Sequence, residues 1–375
     1  MIIGTLREEN KDDDRISITP ETCAKLVKKG FEVIIEKNAG NSSNYIDEQY
    51  VKSGAIIESN KENIAKKIDI LLTVSSIPSD NIINLLKVNT IIIGTFNPYE
   101  NFNELQKLQK KKLSVITLDF LPRISRAQSM DVLSSQSNLA GYKAVIEAAS
   151  LFKKALPMMM TAAGTIIPAK CLVLGAGVAG LQAIATAKRL GCIVSAFDVR
   201  PEVEEQVKSL GSKFIKVDNF DEQETSSQGY AKEMSKKYKD KQIEKIHYAS
   251  IESDIVITTA LIPGKEAPKL ILNKTIREMK KGSVIIDLAG IAGGNTEGTK
   301  FGEKVEIENI LIYSPKNLPS LLANDASLLY SKNLLNFILC FSEGDSSFNL
   351  NVNDELLEKS LIIKEGSKTK NFFEE

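Results

Sequence analysis

Gly175-Ala176-Gly177-Val178-Ala179-Gly180 follows a short apolar run, Lys170–Leu174, and opens an amphipathic stretch over 178–190. This order of strand, glycine turn and helix confines its neighbourhood to a parallel α/β sheet and predicts a dinucleotide site. The first glycine permits a tight turn, the second lets the backbone approach a pyrophosphate, and the third packs helix on strand. The helix N-terminus then offers unpaired N–H groups and a partial positive charge to the phosphates, with Val178 and Ala179 in its first turn. The next strand ends in Asp198, where a carboxylate can bond both ribose hydroxyls; Val199 and Arg200 follow it. Asp198 favours NAD(H), because a 2′-phosphate would meet its charge at close range. Arg200 is the nearby group able to accept such a phosphate, so titration with both nucleotides decides between them.

The rest of the chain repeats the same grammar. Short runs rich in β-branched residues alternate with helical stretches, which is the pattern of α/β sheets. Strands are predicted at 2–6, 31–35, 55–58, 70–74, 90–94 and 113–118, and again at 170–174, 192–197, 213–217, 254–259, 283–288 and 310–313. A helix should start at Thr19-Pro20, where Thr caps and Pro suits the first position, and end at Lys28-Lys29-Gly30. A connecting helix is expected over 131–154 and a returning one over 327–339. The fold class is therefore α/β, with two doubly wound, mostly parallel-sheet domains (Rossmann-type) flanking a nucleotide-binding cleft. The domains are read as 1–134 plus 320–375, with a returning C-terminal helix, and 135–319, which holds the dinucleotide motif. The methionine triplet Met158-Met159-Met160 reads as packing at the domain junction. The polar segment 219–229 reads as a long mobile loop.

Bulk properties exclude several classes. The 375 residues carry 48 Lys plus Arg against 48 Asp plus Glu, so no charge excess points to nucleic acid or an anionic membrane. No window approaches the roughly 18 apolar residues of a membrane span, and the N-terminus reads as a strand rather than a signal peptide. The four cysteines, Cys23, Cys171, Cys192 and Cys340, show no CxxC spacing and suit a reducing compartment. No metal-ligand cluster is visible, and the single histidine, His247, reads as a surface or cap residue.

Upstream of the glycine turn lies Pro122-Arg123-Ile124-Ser125-Arg126-Ala127-Gln128-Ser129-Met130-Asp131. Its Arg, Gln, Asp and Ser groups can hold a nicotinamide ring by hydrogen bonds, yet it offers no acid or base suited to a second substrate. Hydride transfer between two nicotinamides needs none, because no proton leaves a hydroxyl or an amine. The protein's task there is apposition.

This run, with Ser134-Ser135 and Asn138-x-Ala140-Gly141-Tyr142, resembles the NAD(H)-binding component of the proton-translocating nicotinamide nucleotide transhydrogenases. Asp198-Val199-Arg200, Gly229-Tyr230-Ala231-Lys232, the segment 258–265, Asp287-Leu288-Ala289 and Gly293-Gly294-Asn295 extend the resemblance over essentially the whole chain. The resemblance implies that Arg123, Gln128, Asp131 and Ser134 surround the nicotinamide, with Gln128 near ring and ribose and Asp131 and Ser134 on the carboxamide. Arg123 would pair with Asp131 or a phosphate. It implies that Tyr230 closes over the nucleotide, with Gly229, Gln242 and Leu261 near the adenosine. It further implies NAD(H) on this chain and NADP(H) on a partner. The partners would be a membrane-spanning chain and an NADP(H)-binding beta subunit. The location would be cytoplasmic, at the inner membrane through those partners, without insertion of this chain. A homodimer with a swapped hairpin near the 219–229 loop is implied too.

Alanine dehydrogenase is similar in overall pattern and is the nearest competitor. A lysine, a histidine and an aspartate of that family are replaced here by Thr73, Asn97 and Ile291, although Arg15 remains. One departure from the transhydrogenase pattern is Gly290-Ile291-Ala292, where many relatives carry an acidic or amide residue. A non-catalytic NAD(H)-sensing module is the third alternative; it would bind without turnover.

Overall fold

A computed structural model describes residues 1–217, 236–262, 264–342, 344, 346–350 and 353–369. It divides into two compact units, Met1–Gln136 with Pro319–Glu375, and Ser137–Leu318.

The first unit is built on a sheet whose strands lie in the order Ser367–Lys368, Leu361–Lys364, Ser114–Thr117, Ile91–Gly94, Ile70–Leu72, Ile2–Thr5, Glu32–Glu36, Ile56–Glu58. The six strands predicted in the first third of the chain are all present and pair in parallel. Their side chains alternate between two cores. Val33, Ile35, Ile70, Leu72, Ile91, Ile93 and Ile116 enter one, and Ile34, Leu71, Ile92 and Val115 the other. A parallel strand buried on both faces reads as a continuous apolar run for this reason. The first helix, Pro20–Lys28, begins after Thr19 at the N-cap position, whose amide donates to Thr22 Oγ1 at 3.0 Å, with Pro at its start. The returning helix is Ala323–Cys340, longer than predicted, and buries Tyr330, Leu334, Phe337 and Ile338 in the first core.

The second unit has the strand order Lys213–Phe214, Ile193–Phe197, Lys170–Leu174, Ile255–Thr258, Val284–Asp287, Ile310–Tyr313, Lys304–Ile307. The last pair is antiparallel. The edge strand Lys304–Ile307 was not expected, and the strand expected over 213–217 is cut to two residues. Here too one face, through Cys171, Val173, Ile255 and Ile257, is separate from the other, through Leu172, Leu174 and Val256.

Two expectations are corrected. Met158, Met159 and Met160 are 60%, 47% and 76% exposed rather than packed at a junction. Met159–Thr161 pairs antiparallel with Gly164–Ile166, so backbone hydrogen bonding in a ribbon, not side-chain burial, organises them. His247, expected as a surface or cap residue, is instead half-buried between two helices and has a carboxylate beside it. Its Nδ1 lies 2.9 Å from Thr275 Oγ1 and its Nε2 3.3 Å from Glu278, tying the helix Lys236–Ile251 to Asn273–Glu278. The segment 219–229 lies outside the described residues.

Candidate dinucleotide site

The glycine turn behaves as its sequence requires. Gly175 has φ +98°, and a Cβ there would lie 2.5 Å from Thr259 Oγ1. A Cβ on Gly180 would lie 1.8 Å from the Gly175 carbonyl oxygen, so the helix Val178–Arg189 reaches the turn only through a glycine. Gly177 differs. Its missing Cβ would meet nothing nearer than Arg200 Nη2 at 3.9 Å. It is the N-cap residue and its helix start has no side-chain cap, which leaves the first-turn N–H groups to a ligand. The space a Cβ would take at Gly177 is the cradle a pyrophosphate needs, so this turn fits a dinucleotide. Val178 is exposed there and Ala179 half-buried.

Asp198 is buried at the end of Ile193–Phe197 and is wired into the turn. It accepts from the Ala176 amide at 2.6 Å and from the Arg200 amide at 2.9 Å. Arg200 also donates from Nε at 3.0 Å and Nη2 at 2.9 Å, so any ligand hydroxyl reaching this carboxylate would share it with the guanidinium. Val199 between them is half-buried. Gln242 is buried on Lys236–Ile251, and Leu261 is exposed beyond Ile255–Thr258. Gly229 and Tyr230 lie outside the described residues.

Three residues of this unit were given no role in the sequence reading, although Thr259 and Asn295 lie in the segments that carry the resemblance. Thr259 Oγ1 donates to the Gly175 carbonyl at 3.1 Å and pins the turn from the neighbouring strand end. Tyr238 is buried one helical turn before Gln242, and its hydroxyl is pushed above the usual tyrosine value by burial and by the Asp198 charge. The four-residue spacing to Gln242 was the available signal. Asn295, fully buried, holds both polar atoms of Ala260: it accepts from the amide at 3.0 Å and donates to the carbonyl at 2.9 Å. Nothing local in the sequence marks that bond.

The polar run belongs to the first unit. Ser125–Met130 forms a short 3₁₀ helix that buries Ala127 and Met130 in the core and leaves Gln128 exposed. Arg123, just before it, is exposed as well. Arg126 is committed elsewhere, to Asp354 at 2.5 Å, and this hydrogen bond holds that carboxyl below the usual range. Asp131 caps the helix Val132–Leu151: it accepts from the Ser134 amide at 2.9 Å and from the Ser134 hydroxyl. Asp131 and Ser134 are thus one bonded pair before any ligand arrives. Asp131→Ala is expected to lower stability by about 1 kcal/mol, the usual worth of such a cap, measured by denaturant melting. An unchanged midpoint would show that the cap carries no load.

The positions compared above with the alanine dehydrogenase pattern have defined surroundings. Thr73 is buried and donates to the Ser76 carbonyl at 2.8 Å, and Asn97 adopts φ +43° beside Asp119. Burial raises Asp119 above the usual carboxylate value, and its carboxylate fixes the Phe96 and Asn97 amides. Arg15 gives Nε and Nη2 to Asp13 at 2.8 and 2.7 Å, and Nη1 to Gln136 at 2.8 Å. Ile291 is half exposed and carries no proton. Among the described residues no helix is long and apolar enough to cross a membrane.

Comparison with known proteins agrees across the chain. The family models described as "Alanine dehydrogenase/PNT, N-terminal domain" and "Alanine dehydrogenase/PNT, C-terminal domain" match residues 4–140 and 144–371. The chain is 47% identical over 370 residues to the first part of the NAD(P) transhydrogenase alpha subunit of Rickettsia prowazekii, covering 98% of this chain and 95% of that one. It is 44% identical over 374 residues to the protein of the same name from Rhodospirillum rubrum, covering 98% and 97%. A crystal structure of transhydrogenase from Sinorhizobium meliloti superposes with a TM-score of 0.90 at 41% identity, over 98% of this chain and 100% of that one.

Proposed function

The chain belongs to the alanine dehydrogenase/PNT family, and from that premise we propose that it is the NAD(H)-binding component of a proton-translocating transhydrogenase. It would pass hydride between NADH and NADP⁺ held on a partner, coupled to proton movement through a membrane-spanning chain. One observation carries this choice within the family: the orienting groups Arg123, Gln128, Asp131 and Ser134 are present, while Thr73, Asn97 and Ile291 stand where keto-acid chemistry would need proton-handling groups. Arg15, the remaining cation, is satisfied by Asp13 and Gln136 and presents no empty fork to a keto acid.

When bound, the nicotinamide supplies the hydride chemistry. The residues of this chain hold and orient. Gly177 and the first-turn amides of Val178–Arg189 would receive the pyrophosphate, Asp198 the adenosine ribose, and Gln242 and Leu261 the adenine end, with Gly229 and Tyr230 closing over it. Gln128 would set the ring, and the Asp131–Ser134 pair would meet the carboxamide with donors and acceptors already aligned. No group of the chain needs to gain or lose a proton, so the rate rests on distance and alignment.

The relatives are named as one portion of an alpha subunit, which supports a complex whose other chains hold NADP(H) and cross the membrane. In that complex this chain would lie on the cytoplasmic side without inserting. Mixing the protein with NADH and an NADP(H)-binding transhydrogenase partner, and following the transfer optically, tests the reading. Tight NADH binding without transfer sinks it, and turnover with pyruvate and ammonium would favour the alanine dehydrogenase reading.

The exposed ribbon Met159–Thr161/Gly164–Ile166 supports the homodimer. Met160 and Ile167, 76% and 79% exposed, present apolar surface that a second copy would cover. Met160→Asp is expected to shift the sedimentation of the protein toward monomer without lowering NADH affinity. A variant that sediments like the parent excludes the ribbon as the dimer contact.

A further inference from the structure

A 3₁₀ helix of six residues is longer than that geometry normally sustains, since its hydrogen bonds are poorly aligned. Ser125–Met130 is such a segment, and it carries Gln128 on an exposed side. Its support comes from far along the chain. Asn333 Nδ2 donates to the Ser129 carbonyl at 2.9 Å, and Asn336 Nδ2 donates to the same oxygen at 2.9 Å, using both its lone pairs. Asn333 Oδ1 accepts from Ser135 Oγ at 2.8 Å. One amide, 8% exposed, therefore bridges the last turn of the 3₁₀ helix and the first turn of Val132–Leu151, and the residues between the two points include Asp131 and Ser134.

The mount behind that amide is firm. Asn333 lies on Ala323–Cys340, whose Tyr330, Leu334, Phe337 and Ile338 are buried in the first core. Tyr330 also bonds the Thr73 and Val74 carbonyls at 3.0 and 2.9 Å, fixing the helix to the end of the strand Ile70–Leu72. Movement of the turn that carries Gln128 must therefore break the bonds of Asn333 or shift a helix packed into a core.

We propose that Asn333 is a positioning residue for hydride transfer. By clamping Ser129 to Ser135 it fixes the separation of Gln128 from the Asp131–Ser134 pair, with Asn336 as a second, weaker hold on the same carbonyl. The proposal rests on the reading of Gln128 as the group that sets the nicotinamide. Asn333 touches no reacting atom. Its effect should appear in the rate of transfer and not in the binding of the part of the cofactor that lacks the ring.

Asn333→Leu, Ser135→Ala and Gln128→Asn are compared with the parent protein, each mixed with NADH and an NADP(H)-binding transhydrogenase partner in single-turnover flow. The affinity of ADP-ribose, which lacks nicotinamide, and the melting temperature are measured in parallel. Asn333→Leu is expected to slow transfer about tenfold or more, in keeping with the steep dependence of such steps on alignment, with ADP-ribose affinity unchanged. Transfer at the parental rate in Asn333→Leu, beside a slow Gln128→Asn, overturns the positioning role and leaves the reading of Gln128 intact. Parental rates in both variants overturn the two together. A loss of ADP-ribose affinity matching the loss of rate marks Asn333 as merely structural and also overturns the proposal. Should Asn333→Leu not fold, Ser135→Ala decides, because it removes the other end of the bridge: a several-fold slowing with unchanged ADP-ribose affinity supports the clamp, and the parental rate refutes it.

Discussion

Gln128→Asn should slow hydride transfer on the order of 100-fold, because displacing an aligned reactant by about 1 Å costs that much, while NADH affinity falls only a few-fold. The asymmetry follows from where the residue is mounted. Ala127 and Met130 anchor the 3₁₀ helix in the core, so its backbone cannot advance to compensate for a shorter side chain. The amide then reaches one methylene short. In the proposed binding mode the nucleotide is held by the glycine turn, Asp198 and the first-turn amides, none of which the substitution touches. Single-turnover transfer and NADH fluorescence titration separate the two effects. Equal losses in both would mean that Gln128 holds the nucleotide rather than aims it.

Two alanine substitutions in the glycine turn should both weaken NADH binding, but only one of them should cost stability. Gly180→Ala forces a methyl to within 1.8 Å of the Gly175 carbonyl, a backbone atom that cannot swing aside. The helix must lift from the turn, with an overpacking cost of about 1–3 kcal/mol. Both the melting temperature and NADH affinity should drop. Gly177→Ala meets no protein atom nearer than 3.9 Å, so its melting temperature should stay at the parental value. The methyl would instead fill the space offered to the pyrophosphate. Affinity there should fall at least about 100-fold, about 2.8 kcal/mol at 1.4 kcal/mol per factor of ten. Thermal melting with and without NADH distinguishes them. A Gly177→Ala protein that binds NADH normally would place the pyrophosphate away from this turn.

What could be read in the sequence was what local physics decides. The parallel strands announced themselves as unbroken apolar runs because both faces are buried. Thr19-Pro20 and Lys28 marked the first helix because caps act within a turn. The role of Gly180 was legible because its contact is with Gly175, five residues before it, whereas the Thr259 hydroxyl that crowds Gly175 comes from a distant strand end. The ribbon Leu361–Lys364/Ser367–Lys368 was not, since its turn places Glu365 at φ +49°, where Asn or Gly is the usual signal. The methionine ribbon was hidden by composition, since Met reads as core filler. In the site, the residue types were legible and their partners were not. Arg126 holds Asp354, Asp198 holds Arg200, and Asn333 holds Ser129, and two of these three pairs join residues from distant parts of the chain.

The first unit draws its sheet and its core from both ends of the chain. Leu361–Lys364 pairs with Ser114–Thr117, and the returning helix supplies Tyr330, Phe337 and Ile338 to the core around Ile3 and Leu26. The second unit, Ser137–Leu318, is contiguous. On a ribosome, domains ordinarily complete themselves in the order in which they are made. Here that order is inverted. The strands made first must wait, with one face uncovered, while the middle of the chain is synthesised and folds, and the amide that clamps Ser129 arrives after both.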